Sequence, residues 1–234
     1  MTSPARRSRE RKLAARAADS PAAAARANDQ QDLMLAALWN ARQTLKDIRA
    51  TERKVEAKRE LLPQFFAYVD GVLEADTGEQ DEVLMTVMLW HLDIGDVGGA
   101  LRIADYAMHH GLTPPDRFQR DTATLVAEQA AEELLTKLEA LPESAADQEE
   151  AAACAAEYLA QLEHAHALTA EADMHDQARA KLHKALGYAH RATGEHDQEA
   201  LEHLKRAVEL NSKIGVKKDI ERLERQVKNA GSGA

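Results

Sequence analysis

Apolar residues in this chain return at steps of three, four and seven, the spacing that lines one face of an α-helix. Leu38, Ala41, Leu45, Ile48 and Val55 form one such seam, and Val216, Ile220, Leu223 and Val227 form another near the end. Composition agrees with the periodicity. Ala supplies 46 of 234 residues and Leu 27, whereas Val and Ile together supply 15, a balance that favours helix over sheet. The fold expected is all-α: a basic N-terminal arm and helix, then stacked helical hairpins with tetratricopeptide-like features. A β-barrel or a parallel-sheet enzyme does not fit the pattern.

Local signals divide the chain. Residues 1–31 hold Ser, Pro, Ala and Arg with few large apolar side chains, too little surface to offset the entropy of ordering, so a disordered basic arm is expected. Residues 32–62 are expected to form one basic helix that contacts DNA. Pro63 suits the first turn of a new helix, and Asp76-Thr77-Gly78 suits its end. Within the central hairpins, 63–115, the run from Val83 to Trp90 is apolar on nearly every side and reads as the buried centre of the body. An acidic hairpin over 116–170 is split at Pro142 and restarted by the capping pattern Ser144-x-x-Asp147. Tetratricopeptide-like helices are expected over 171–229 and a disordered tail over 230–234. The echo between Trp90–Ala107 and Leu186–Ala207, each a helix, a Gly-acid turn and a second helix opening Ala-Leu, supports the stacked hairpins.

Charge separates along the same lines. Net charge is −10. Yet residues 1–60 carry 14 Lys and Arg against 8 Asp and Glu, while residues 61–212 carry 10 against 29. A basic head that meets an anion and an acidic body that holds protein partners is the physical reading. The single Cys154 excludes an internal disulfide, and a reducing cytoplasm fits. No apolar stretch approaches the roughly 18 to 20 residues of a membrane span, so no membrane partner is expected.

Enzymatic chemistry finds no footing. A phosphate-cradling Gly-x-x-x-x-Gly-Lys is missing. His183 and His190, like His196 and His203, are seven apart, which puts two imidazoles of one helix roughly 10 Å apart, too far to share an ion. Such histidines read as surface or interhelix residues. Asp93 and Asp96 beside Gly95 are the nearest pair for two-metal cleavage, and helix capping is their simpler role. No catalytic residue, metal ligand or cofactor is assigned.

The basic head is where residues converge on a chemistry. Arg42, Lys46, Arg49 and Arg53 fall at i, i+4, i+7 and i+11, and Lys54, Lys58 and Arg59 follow. On a continuous helix they would bond phosphates along a groove wall, while Arg6, Arg7, Arg9, Arg11, Lys12 and Arg16 of the arm follow the backbone or enter the minor groove. The bland alternative is a solvated face on which Asp47, Glu52, Glu56 and Glu60 pair with these cations.

Specific runs carry a resemblance. Arg59-Glu60-Leu61-Leu62-Pro63, Gly71-Val72-Leu73-Glu74, Gln80-Asp81, Leu84 to Trp90, Leu92-Asp93, Gly95-Asp96 and Gly99-Ala100-Leu101 resemble the small terminase subunit (M protein) family of Peduovirus-like tailed phages. The start Met1-Thr2-Ser3-Pro4-Ala5, the run Arg179 to Lys184, and Gly215 to Lys218 with Glu221 to Arg225 are similar to that family too. These runs lie mostly within 44–112 and 173–228, and residues 113–170 do not follow the pattern. The resemblance implies a homo-oligomer, in ring form, that binds double-stranded DNA at the cohesive-end packaging site. It also implies recruitment of the large ATPase and nuclease subunit, in the cytoplasm of the bacterial host. The family is labelled an endonuclease subunit, whereas the residues place hydrolysis in the large subunit. Two rival readings stand beside it: a helical-repeat adaptor that never touches DNA, and a metal-dependent endonuclease that cuts the cohesive-end site itself.

Overall fold

The computed structural model describes residues 21–115, 120–141, 148–194 and 196–232, and these are helical with connecting turns. The order is α1 (Pro21–Asp47), α2 (Thr51–Leu61), a 3-10 turn (Leu62–Phe65), α3 (Phe66–Ala75), α4 (Glu82–Asp93), α5 (Val97–His109), α6 (Thr122–Glu139), α7 (Gln148–Leu168), α8 (Asp176–Thr193), α9 (Asp197–Leu210) and α10 (Lys217–Ser232). The all-α expectation holds, with no strand among the described residues. Two compact units result, residues 1–68 and 69–234.

In the first unit, the seam residues Leu38, Ala41 and Leu45 are buried, as are Leu62, Phe65 and Tyr68. Two expectations change here. The helix begins at Pro21, eleven residues before the expected start. Pro at the first helical position and the run Ala22–Ala25 supply start and propensity without needing burial. The expected single helix over 32–62 is interrupted at residues 48–50, where Ala50 turns extended (ψ 131°) before α2. Neither Gly nor Pro marks that break, and no residue of α2 is buried.

The second unit is organised around its core. Every residue from Val83 to Leu92 in α4 is buried, as the apolar run predicts. Asp81 caps α4 by accepting from the Leu84 amide at 2.9 Å, and Asp96 caps α5 by accepting from Gly99 at 2.9 Å, each satisfying an orphan amide of a first turn. The capping role expected for Asp96 is the one it has. The second Asp96 oxygen meets His91 Nδ1 at 2.8 Å. A Cβ on Gly99 would lie 2.5 Å from Asp96 Oδ2 and 2.6 Å from His91 Nδ1, so this cap and this glycine belong together.

Helix α8 is the hub of the unit: it packs against α6, α7 and α9, and α10 packs on α9. Gly194 (φ +79°) ends α8 in the left-handed region, the usual use of glycine at a helix end. Gly187 lets α9 approach closely, since a Cβ there would meet Leu204 at 2.7 Å and the Ala200 carbonyl at 3.1 Å. Arg179 donates to the carbonyls of Thr169, Ala170 and Ala172 just beyond α7. Buried Glu128 of α6 is held by Arg120 and, at 2.5 Å, by Lys181, which also reaches Glu132. The run Arg179 to Lys184 is therefore scaffolding. The pattern Ser144-x-x-Asp147 lies outside the described residues. α10 continues through residue 232 where fraying and a tail were expected.

Candidate nucleic-acid interface

Residues 1–68 carry 14 Lys and Arg against 8 Asp and Glu, and residues 69–234 carry 16 against 32. The two compact units thus differ in sign, one net positive and one net negative. What the cations of each unit do differs as well.

Lys46 is exposed in the last turn of α1, where a positive charge is favoured by the carbonyl end of the helix. Arg49 is exposed in the link at 48–50, and Arg53 is exposed in the first turn of α2. Lys54 is half-buried one residue on. These four make no ion pair among the described residues. Arg42 and Lys58 are half-buried and Arg59 is exposed, and each of the three has a partner within the protein. The interruption at 48–50 breaks the expected i, i+4, i+7, i+11 ridge: Arg42 and Lys46 share a face of α1, and Arg53, Lys54, Lys58 and Arg59 belong to α2. Arg6, Arg7, Arg9, Arg11, Lys12 and Arg16 lie outside the described residues.

In the second unit, by contrast, most cations are engaged. Arg102 meets Asp70 at 2.7 Å, Lys205 meets Glu224 at 2.7 Å, and Arg191 and Arg222 both meet Asp219. Lys137 donates to the Gly95 carbonyl at 2.5 Å. Tyr188, donating to Asp219 at 2.8 Å, has its phenol pushed up to about 12 by burial and by that carboxylate.

A second constellation escaped the spacing argument. His166 of α7, His183 and His190 of α8 and His203 of α9 gather between the three helices, with ring centroids 5.0 Å (166–183), 5.2 Å (183–203) and 5.3 Å (190–203) apart. His196 lies 5.7 Å from His190. The Nδ1 atoms of His183 and His203 are 2.9 Å apart, a contact that requires one ring to donate and the other, neutral at that nitrogen, to accept. Burial, then the neighbouring imidazoles, push His183 down to about 3 and His203 down to about 4, with Arg206 and Arg179 adding to the effect on His183. His166 and His190 are lowered by burial as well. His183 and His190, seven residues apart on α8, each meet His203 of α9. Three helices converging bring their neighbours together, and no single-helix spacing shows that. Among the described residues, no three His, Cys, Asp or Glu converge on a point that would hold a metal ion.

Comparison with known proteins decides the family. The family model for the phage small terminase subunit matches residues 35–177. A protein named "Terminase, endonuclease subunit", from Escherichia phage P2, is 44% identical over 228 residues, covering 97% of this chain and 87% of that one. The chain belongs to the phage small terminase subunit family. No solved structure matches this terminase subunit. Its likeness to the P2 protein runs through residues 113–170, the stretch that did not follow the pattern on sequence reading. The matched family region runs from the second half of α1 to the first residues of α8, so it takes in residues of both units of the terminase subunit. Among the described residues, no helix of this terminase subunit is long and apolar enough to cross a membrane.

Proposed function

We propose that this small terminase subunit binds duplex DNA at the cohesive-end packaging site through its basic N-terminal unit, and recruits and directs the large ATPase and nuclease subunit. It works as a homo-oligomer, in ring form, in the cytoplasm of the bacterial host. The observation that carries the reading is the set Lys46, Arg49, Arg53 and Lys54: cations without an ion pair among the described residues, in the one unit of net positive charge. Unpaired cations release counterions from phosphate when they bind it, which supplies affinity without base recognition. Several copies acting on one duplex turn such weak contacts into avidity.

The test is the salt dependence of duplex binding by the full chain, compared with a variant in which Lys46, Arg49, Arg53 and Lys54 are all changed to Gln. Each lost phosphate contact flattens the log–log slope by about 0.9, so a change of roughly 3 to 4 is expected for the set. A variant that binds duplex with the wild-type slope overturns these four residues as the phosphate contacts, and a full chain that binds no duplex overturns the DNA reading and leaves the helical-repeat adaptor in its place.

A second reading has one specific observation behind it, the name of the P2 relative as an endonuclease subunit. Purified chain incubated with magnesium or manganese and a packaging-site duplex, without the large subunit, is expected to leave the duplex intact. Cleavage would move hydrolysis into this chain.

A further inference from the structure

The chain has two tryptophans, and they are placed in opposite ways. Trp90 is 2% exposed in the core of α4, whereas Trp39 on α1 is 62% exposed. Trp39 does not belong to the apolar seam of its helix, which is Leu38, Ala41 and Leu45. It stands at i−3 from Arg42 and i−7 from Lys46, so the indole shares a helix face with both cations. Its ring makes no hydrogen bond and no ring contact among the described residues. A single exposed apolar side chain needs no explanation by itself. An indole two helical turns from Lys46, on the same face as a cation that makes no ion pair among the described residues, is a different chemical object: a flat apolar surface with one N–H donor, in line with a charge that attracts phosphate.

We propose that Trp39 is a DNA contact, its indole packing against sugar and base edges of the duplex while Lys46 holds a flanking phosphate. The inference rests on the duplex-binding reading above and adds to it the first contact that is not electrostatic. Aromatic rings gain about 10- to 100-fold in affinity by stacking on or wedging between bases, with little sequence demand. No counterion leaves when an indole is buried. Trp39 therefore contributes to affinity and leaves the salt slope unchanged, the reverse of the signature of Lys46.

The experiment uses full-length protein and a labelled mixed-sequence duplex, with binding measured by anisotropy over a range of salt for wild type, Trp39→Ala and Trp39→Phe. Trp39→Ala is expected to weaken binding about 10- to 100-fold at every salt concentration with an unchanged slope, and Trp39→Phe to recover part of the loss. Acrylamide quenching of wild-type tryptophan emission should fall when duplex is added. Wild-type binding with an unaltered Trp39→Ala affinity overturns this inference alone. So does a drop in native mass for Trp39→Ala, or protection of the indole by raising protein concentration without duplex, since a second copy would then be its partner. Failure of the wild type to bind duplex at all overturns the inference and the reading beneath it together.

Discussion

The two units of this terminase subunit differ in how many of their cations are paired within the protein. In residues 69–234, Arg120, Lys181, Arg191, Lys205 and Arg222 each meet a carboxylate, and Arg179 closes off the chain after α7. In residues 1–68, Lys46, Arg49, Arg53 and Lys54 meet none among the described residues. The body of one unit is held by packed helices around α8, whereas α2 of the other buries nothing. Charge that stabilises a fold is found with its counter-charge. Charge left over on a thinly packed segment is available to a ligand, and that contrast, more than overall composition, supports the proposed interface.

Acidification should separate the units most strongly. His183 and His203 are neutral in the folded body, with values of about 3 and about 4 against 6.5 unfolded. Because the folded values are depressed, the unfolded chain binds more protons below pH 6.5. Stability is thus full above about 6.5, falls as pH drops, and stops falling near the folded values. At about pH 5 the two imidazoles together cost up to about 4 kcal/mol. Urea unfolding followed across this range should show the loss, and changing His183 and His203 to Gln should flatten it. Leu204→Ala comes next. Leu204 is fully buried among Ala200, Leu201, Val216 and Leu223, and truncation should cost about 2 to 5 kcal/mol, read as a lower denaturation midpoint. Gly99→Ala should destabilise by about 1 to 3 kcal/mol, because a Cβ 2.5 Å from Asp96 Oδ2 and 2.6 Å from His91 Nδ1 forces the α5 cap apart. The smallest thermodynamic effect belongs to the first unit. Replacing Lys46, Arg49, Arg53 and Lys54 with Gln should move the melting free energy by less than about 0.5 kcal/mol, while duplex affinity drops. A large stability loss on that replacement would erase the contrast.

Most helices were legible because each carries its own evidence. The buried run Val83 to Leu92, the Asp96 cap, the Gly194 stop and the seam Leu38, Ala41 and Leu45 are all local signals, and each has its expected place. The break at 48–50 was illegible because Ile48-Arg49-Ala50 contains no breaker residue, and the apolar seam carries straight through to Val55. That break matters for the candidate site: the cations were readable one by one, but their alignment into a single ridge depended on a continuous helix. The imidazole cluster was hidden for another reason. His166, His183, His190 and His203 are assembled by tertiary packing of three helices, and periodicity within one segment carries no information about which neighbours will face it. Exposure of Trp39 was hidden likewise, since an indole next to a buried leucine is equally compatible with core.

Helix α10 covers the flank of α9. It turns Leu223 fully inward and Ile220 partly so, against the group that includes Leu201 and Leu204, and leaves Lys218, Arg222 and Arg225 in water. A series of helical pairs extends only while each new pair finds an apolar flank to lie on. Here the flank is shingled over by a helix whose outer face is hydrated and cationic.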